Sequence, residues 1–83
     1  MNIYVPMYDE NSLSFVWEEG FRIKCSIDGT CVCIEANKEG LISLARHMLA
    51  LAQENVPEFE HIHLDEYNSL EDNSVEIIIA KKL

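Results

Sequence analysis

His61, His63 and Asp65 alternate along HIHLDEY, so an extended backbone would set all three on one side of a strand. Two imidazoles and a carboxylate are donors for zinc or a similar divalent ion, and this is the only metal-like cluster in the chain. A closed site would need further ligands from elsewhere, and solvated strands carry HxH pairs without metal, so structural or interface roles fit the trio better. Cys31 and Cys33 form the second reactive grouping, but CVC lacks CxxC ligand spacing. Three cysteines make an odd count with no disulfide framework and are read as reduced thiols, with Cys25 in the core. No GxSxG or comparable nucleophile motif is present, and carboxylates are too abundant for any pair to mark acid–base chemistry. The residues therefore point to no enzyme, no cofactor and no resident metal.

The elements that must position these side chains are legible in outline. NIYVPMY is apolar and aromatic enough for a strand, but Pro6 cannot donate to a ladder and restricts it to an edge or broken strand. Asp9 to Ser12 reads as a polar turn, and Leu13 to Trp17 as a second strand closed by Glu18, Glu19 and Gly20. FRIKCSI-DG-TCVCIEA is a hairpin pattern with Asp28 and Gly29 as its central turn residues. That register pairs Ile27 with Thr30, Cys25 with Val32, Ile23 with Ile34 and Phe21 with Ala36, and on the other side Arg22 with Glu35 and Lys24 with Cys33.

Asn37 is a good N-cap and Glu39 suits the positive end of a helix dipole, so a helix is predicted over about Lys38 to Glu54. Leu41, Leu44, Ala45, Met48, Leu49 and Ala52 recur at three- and four-residue steps, widened by Ile42 and Leu51, and are expected to lie on the sheet. Ser43, Arg46, His47, Gln53 and Glu54 gather opposite, on the expected solvent face. Pro57 holds Val56 extended, so the helix must stop near Asn55. EHIHLDEYNSL and SVEIIIAKKL read as two further strands joined through Glu71, Asp72 and a left-handed Asn73. Symmetric pairing sets Tyr67 across from Ile77 and Asp65 across from Ile79. That splits the apolar residues between faces and calls for a bulge, a longer loop or a strand buried on both sides.

Strands, one helix, then strands predict an α+β fold. The expected form is a mainly antiparallel sheet of about five strands with one long amphipathic helix packed on one face and the other left for binding. With 83 residues, 48% of them apolar and 25% charged, the chain is expected to form a single domain over 1–83. A chain this short buries only about 60% of its unfolded surface, so a homodimer would add stability. The 15 Asp and Glu against 6 Lys and Arg give a net charge of -9, which argues against nucleic acid or anionic membrane partners and for a basic one. Acidic residues group at Asp9 and Glu10, Glu18 and Glu19, Asp65 and Glu66, and Glu71 and Asp72, while Trp17, Tyr4, Tyr8 and Tyr67 are candidate aromatic anchors. No apolar run is long enough to span a bilayer, and the first residues lack a secretion-signal pattern, so a cytoplasmic location is expected.

NKEGLISLARHMLALAQ followed by HIHLDEYNSLEDNSVEIII resembles the immunity protein 32 family of bacterial polymorphic toxin systems. The matching blocks are the start of the helix from Asn37 to Gly40, the leucine-rich helix with Ala45 and Arg46, the HxHLDE strand and the Leu70 to Ser74 turn. The resemblance implies a non-catalytic protein that binds and neutralises a cognate toxin, protecting the producing cell, and it brings no catalytic residues. His61, His63, Asp65, Glu66, Tyr67, Glu71, Asp72, Glu18 and Glu19 are the candidate partner-binding residues. Two other classes compete: a homodimeric structural or regulatory module pairing through a strand edge, and a metal-binding protein using His61, His63 and Asp65.

Overall fold

A computed structural model describes residues 1–9 and 12–83 of the chain, so the Glu10 part of the first acidic group and the centre of the expected Asp9 to Ser12 turn lie outside the described residues. Strands β1 (Ile23–Asp28) and β2 (Cys31–Ala36) form one antiparallel pair, helix α1 (Lys38–Leu51) follows, and β3 (His61–Leu64) and β4 (Ile77–Ala80) form a second antiparallel pair. The class is α+β, as expected. The architecture is two small two-stranded sheets rather than one sheet of about five strands.

Two departures explain the difference. NIYVPMY and Leu13 to Trp17 are not strands: neither joins a ladder among the described residues, and the one isolated bridge nearby pairs Asp9 with Ser12 between them. The two sheets also meet without a continuous ladder, because segment 71–75 lies along the free edge of β1 irregularly. Glu71 N donates to Ile23 O at 2.8 Å and Val75 N to Cys25 O at 2.9 Å, but between them Cys25 N donates to the Ser74 hydroxyl at 3.2 Å. A side chain stands where a strand would offer its carbonyl. Asn73, left-handed at φ 67 as its type predicts, turns the chain at that point.

The β1–β2 hairpin is two residues out from the expected register: Asp28 pairs with Cys31 and Cys25 with Ile34, leaving Gly29 and Thr30 as the loop. Gly29 has φ 62 and Thr30 does not take a positive φ, the pattern of a II′ turn in which glycine occupies the first central position. The expected turn used Asp28 and Gly29 as its centre; the glycine decides, because only one positive φ is required. A slip of two preserves which face each side chain occupies, so Ile23 and Cys25 still point into the core. Lys24 rather than Arg22 now lies opposite Glu35.

Asn37 caps α1 by accepting from Gly40 N at 2.8 Å, worth about 1 kcal/mol in comparable helices. The same oxygen accepts from Arg22 N, and the Asn37 amide donates to Gly20 O, so the cap also ties the helix start to the chain entering β1. Gly40 lets the two approach: a Cβ there would stand 2.7 Å from Arg22 O. The helix ends at Leu51 with Ala52 as C-cap, earlier than the predicted Glu54.

The main correction concerns which side of α1 is buried. Leu44 and Leu51 enter the core with Ile23, Cys25, Val56, Ile62, Leu64, Leu70 and Ile77. Ser43, Arg46 and His47, expected in solvent, are buried as well, whereas Leu41, Met48 and Leu49 are about half exposed at 56%, 45% and 47%. The N-terminal segment covers the polar side and is held there by side-chain bonds to its main chain. Arg46 donates from Nε to Tyr4 O at 2.8 Å and from Nη1 to Val16 O at 2.9 Å. Gln53 exchanges bonds with Pro6 O and Tyr8 N, and Ser43 Oγ accepts from Glu18 N at 2.8 Å. A segment without ladder partners must satisfy its carbonyls elsewhere, and the polar stripe of α1 does so. Phe15 and Trp17 close over His47 edge-on, with ring centroids 5.0 and 4.4 Å away.

Candidate functional site

β3 has a clean alternation: Ile62 and Leu64 are buried, while His61 and His63 face out. Its register with β4 puts Ile62 against Ile79 and Leu64 against Ile77, gathering the apolar residues on one face. The longer loop, 65–76, resolves the conflict that symmetric pairing created. Of the HxH residues, His63 Nε2 lies 2.9 Å from Glu76 Oε2 and 3.6 Å from Asp65 Oδ2. The expected trio of His61, His63 and Asp65 is therefore replaced. His61 pairs across from Ala80 with its ring near Phe59 O, and Glu76 completes the cluster instead. One donor atom from each of His63, Asp65 and Glu76 lies within 4.8 Å of the others, close enough to grip a divalent ion or, with a protonated imidazole, to form an exposed ion-pair triad.

The loop that follows is built to hold its shape. Asp65 Oδ1 accepts from Tyr67 N at 2.9 Å and Asn68 N at 3.1 Å, an Asx turn, while Asp65 O accepts from Ser69 N and Leu70 N. Asn68 reaches back, its amide donating to His63 O and its oxygen accepting from Asp65 N. Glu66 Oε2 accepts from Asn73 N at 2.8 Å, closing the loop's far side. Leu70, 5% exposed, anchors it in the core, and Tyr67 stands at its crest 90% exposed. Nothing about folding requires a phenol ring in solvent there, and a rigid base beneath it removes much of the ordering cost of a contact.

Glu71 and Asp72 continue this surface toward Lys24, whose ammonium donates to Asp72 O at 2.6 Å. Glu18 and Glu19 belong to a different segment. Glu18 engages Arg46 at 3.4 Å and so serves the N-terminal clamp, whereas Glu19 is exposed at the turn before Gly20. Among the aromatic candidates, Trp17 packs on His47 and Phe21, and Tyr8 borders the core. Tyr4 is exposed, as is Phe59, which also takes φ 73, an unusual value for a bulky residue. The segment PEFEH carried no sign of that conformation.

Electrostatically, the carboxylates keep their field. Arg46, Lys24 and Lys81 donate to main-chain carbonyls, and among the described residues Glu18 is the only carboxylate paired with a Lys or Arg. With 15 acidic against 6 basic residues the net charge remains -9, and most carboxylates have no Lys or Arg held against them among the described residues.

A sequence model of the family described as Immunity protein 32 matches residues 32–82, from β2 to the end of the second sheet. The chain belongs to the immunity protein 32 family. The match in this family member contains the Asn37 cap, all of α1, β3, the ordered loop and β4, and it leaves out the N-terminal clamp. No curated protein and no solved structure matches the chain. An immunity role follows from the family, and no described helix is long and apolar enough to cross a membrane.

Proposed function

We propose that this immunity protein 32 family member neutralises a cognate bacterial toxin by binding it, without catalysis, through the surface formed by the outer face of β3 and the 65–76 loop. The supporting observation is the loop itself: an Asx turn on Asp65, an anchor at Leu70 and a Tyr67 ring held out in solvent beside Glu66, Glu71 and Asp72. A rigid aromatic anchor within an acidic rim suits a basic protein surface, where the ring supplies contact area and the carboxylates speed encounter. His63 and Glu76 adjoin the loop through Asp65, and His61 continues the outer face of β3. Glu18 takes no part, because its carboxylate holds Arg46.

The test is to look for a toxin domain in the neighbouring genes and to co-express it with this chain. Restored growth and stoichiometric co-purification are expected, both weakened by Tyr67→Ala. If the chain neither rescues growth nor co-purifies, the proposal fails.

A further inference from the structure

The apolar stripe that fails to reach the core is self-complementary. Leu41, Ala45, Met48, Leu49 and Ala52 form one exposed band along α1, and three of them leave large apolar surface in water. Leu41 and Ala52 lie at equal distances from a midpoint between Arg46 and His47, and so do Ala45 and Met48. An antiparallel two-fold copy of the same helix therefore sets Leu41 over Ala52 and Met48 over Ala45 reciprocally, a large residue over a small one in both pairs, which close helix packing favours, while Leu49 packs beside them.

Two further features fit the same arrangement. Beside Ala52 lies a groove of about 400 Å³ lined by Met48, Leu51, Ala52, Ile79, Lys81 and Lys82, in the place where Leu41 of a second copy would arrive. Charge agrees as well. Lys38 sits at the start of the stripe, against its own helix dipole, and the last turn of α1 contains no basic residue. In the antiparallel pair Lys38 lies over the C-terminal end of the other helix, next to exposed Glu54 and Asn55, where a cation is favoured.

We infer that the chain forms a two-fold homodimer through antiparallel packing of α1, with Leu41 of each copy seated in the Met48–Ala52–Ile79 groove of the other. This surface is separate from the 65–76 loop, so the dimer presents two toxin-binding surfaces and does not depend on the toxin reading being right. Two bodies of charge -9 repel, and added salt screens that repulsion over more surface than it weakens the two Lys38 contacts. The dimer accordingly tightens with salt, whereas a complex of acidic and basic partners loosens.

Sedimentation equilibrium of the full chain without toxin tests this. The expected species is a dimer, twice 9.5 kDa, in equilibrium with monomer and shifted toward dimer by salt. Leu41→Glu should give a folded monomer by circular dichroism. Lys38→Glu should raise the dissociation constant roughly fivefold, and Lys38→Glu with Glu54→Lys should recover most of it. A chain that stays at 9.5 kDa at high protein concentration overturns the inference, as does a dimer unmoved by Leu41→Glu or one that is broken only by substitutions along the β2 edge.

Discussion

The Trp17 indole stands edge-on to the His47 imidazole, their centroids 4.4 Å apart and their planes at 76°, and neither ring nitrogen of His47 bonds any of the described residues. Burial, and secondarily the charge of Arg46, lowers the pKa of His47 from 6.5 to about 4. A histidine lowered in this way binds a proton more readily unfolded than folded. Its contribution is complete above pH 6.5 and is lost as pH falls from there toward 4. The loss amounts to about 2–3 kcal/mol. Urea unfolding of the wild type and of His47→Phe between pH 7 and 4 should show the wild type losing that much more than the variant. Parallel pH profiles would contradict the assignment.

Arg46 holds Tyr4 O and Val16 O at once, so it fastens both arms of the N-terminal segment to α1. Arg46→Met keeps much of the side-chain volume but leaves two partly buried carbonyls without their donor, at about 1–3 kcal/mol. Limited proteolysis should then cut within the first 18 residues, while the rest resists. Uniform digestion would mean that the clamp is not a separable unit.

Gly40 sets two effects of opposite sign against each other. Alanine gains about 1 kcal/mol of helix propensity, but its Cβ would meet Arg22 O at 2.7 Å, Ile23 Cγ1 at 2.9 Å and Ala36 Cβ at 3.1 Å. Backbone at that distance cannot give way cheaply, and overpacking costs about 1–3 kcal/mol. Gly40→Ala should lower the urea midpoint; a raised midpoint would show that the helix start shifts freely.

Much of this fold is legible because single residues decide it locally. Asn37 caps, and Gly20 and Asn73 take positive φ, as side-chain chemistry dictates, whereas the helix ends at Leu51, before the limit that Pro57 sets. What is not legible is where main-chain groups find partners far along the chain. Leu13 to Trp17 has strand composition, but its Val16 carbonyl accepts from Arg46 and the adjoining Glu18 amide donates to Ser43, so a polar stripe that reads as solvated is buried. Helical periodicity groups Leu44 and Leu51 with Leu41, Met48 and Leu49, but the buried face runs through Ser43, Leu44, Arg46, His47, Ala50 and Leu51 and so divides that stripe. In the candidate cluster, HIHLDEY does supply β3, but Glu76 joins His63 and Asp65 only through the β3–β4 register.

Tyr67 and Leu70 should separate binding from stability. Tyr67→Ala removes a ring that is 90% exposed and should leave the unfolding midpoint within error, whereas Leu70→Ala empties a site 5% exposed at a cost of about 2–4 kcal/mol. Thermal and urea unfolding of the two variants checks this. Equal destabilisation would make Tyr67 a packing residue.

The central claim, that an acidic, preformed loop bearing Tyr67 engages a basic toxin, is tested most directly by titration calorimetry against the toxin domain that rescue by co-expression identifies, at low and at physiological salt. The account predicts one toxin per chain, an affinity that falls as salt rises, and a loss of at least about 1.4 kcal/mol, or tenfold, for Tyr67→Ala in a variant whose stability is unchanged. Binding that is indifferent both to salt and to Tyr67→Ala would contradict it.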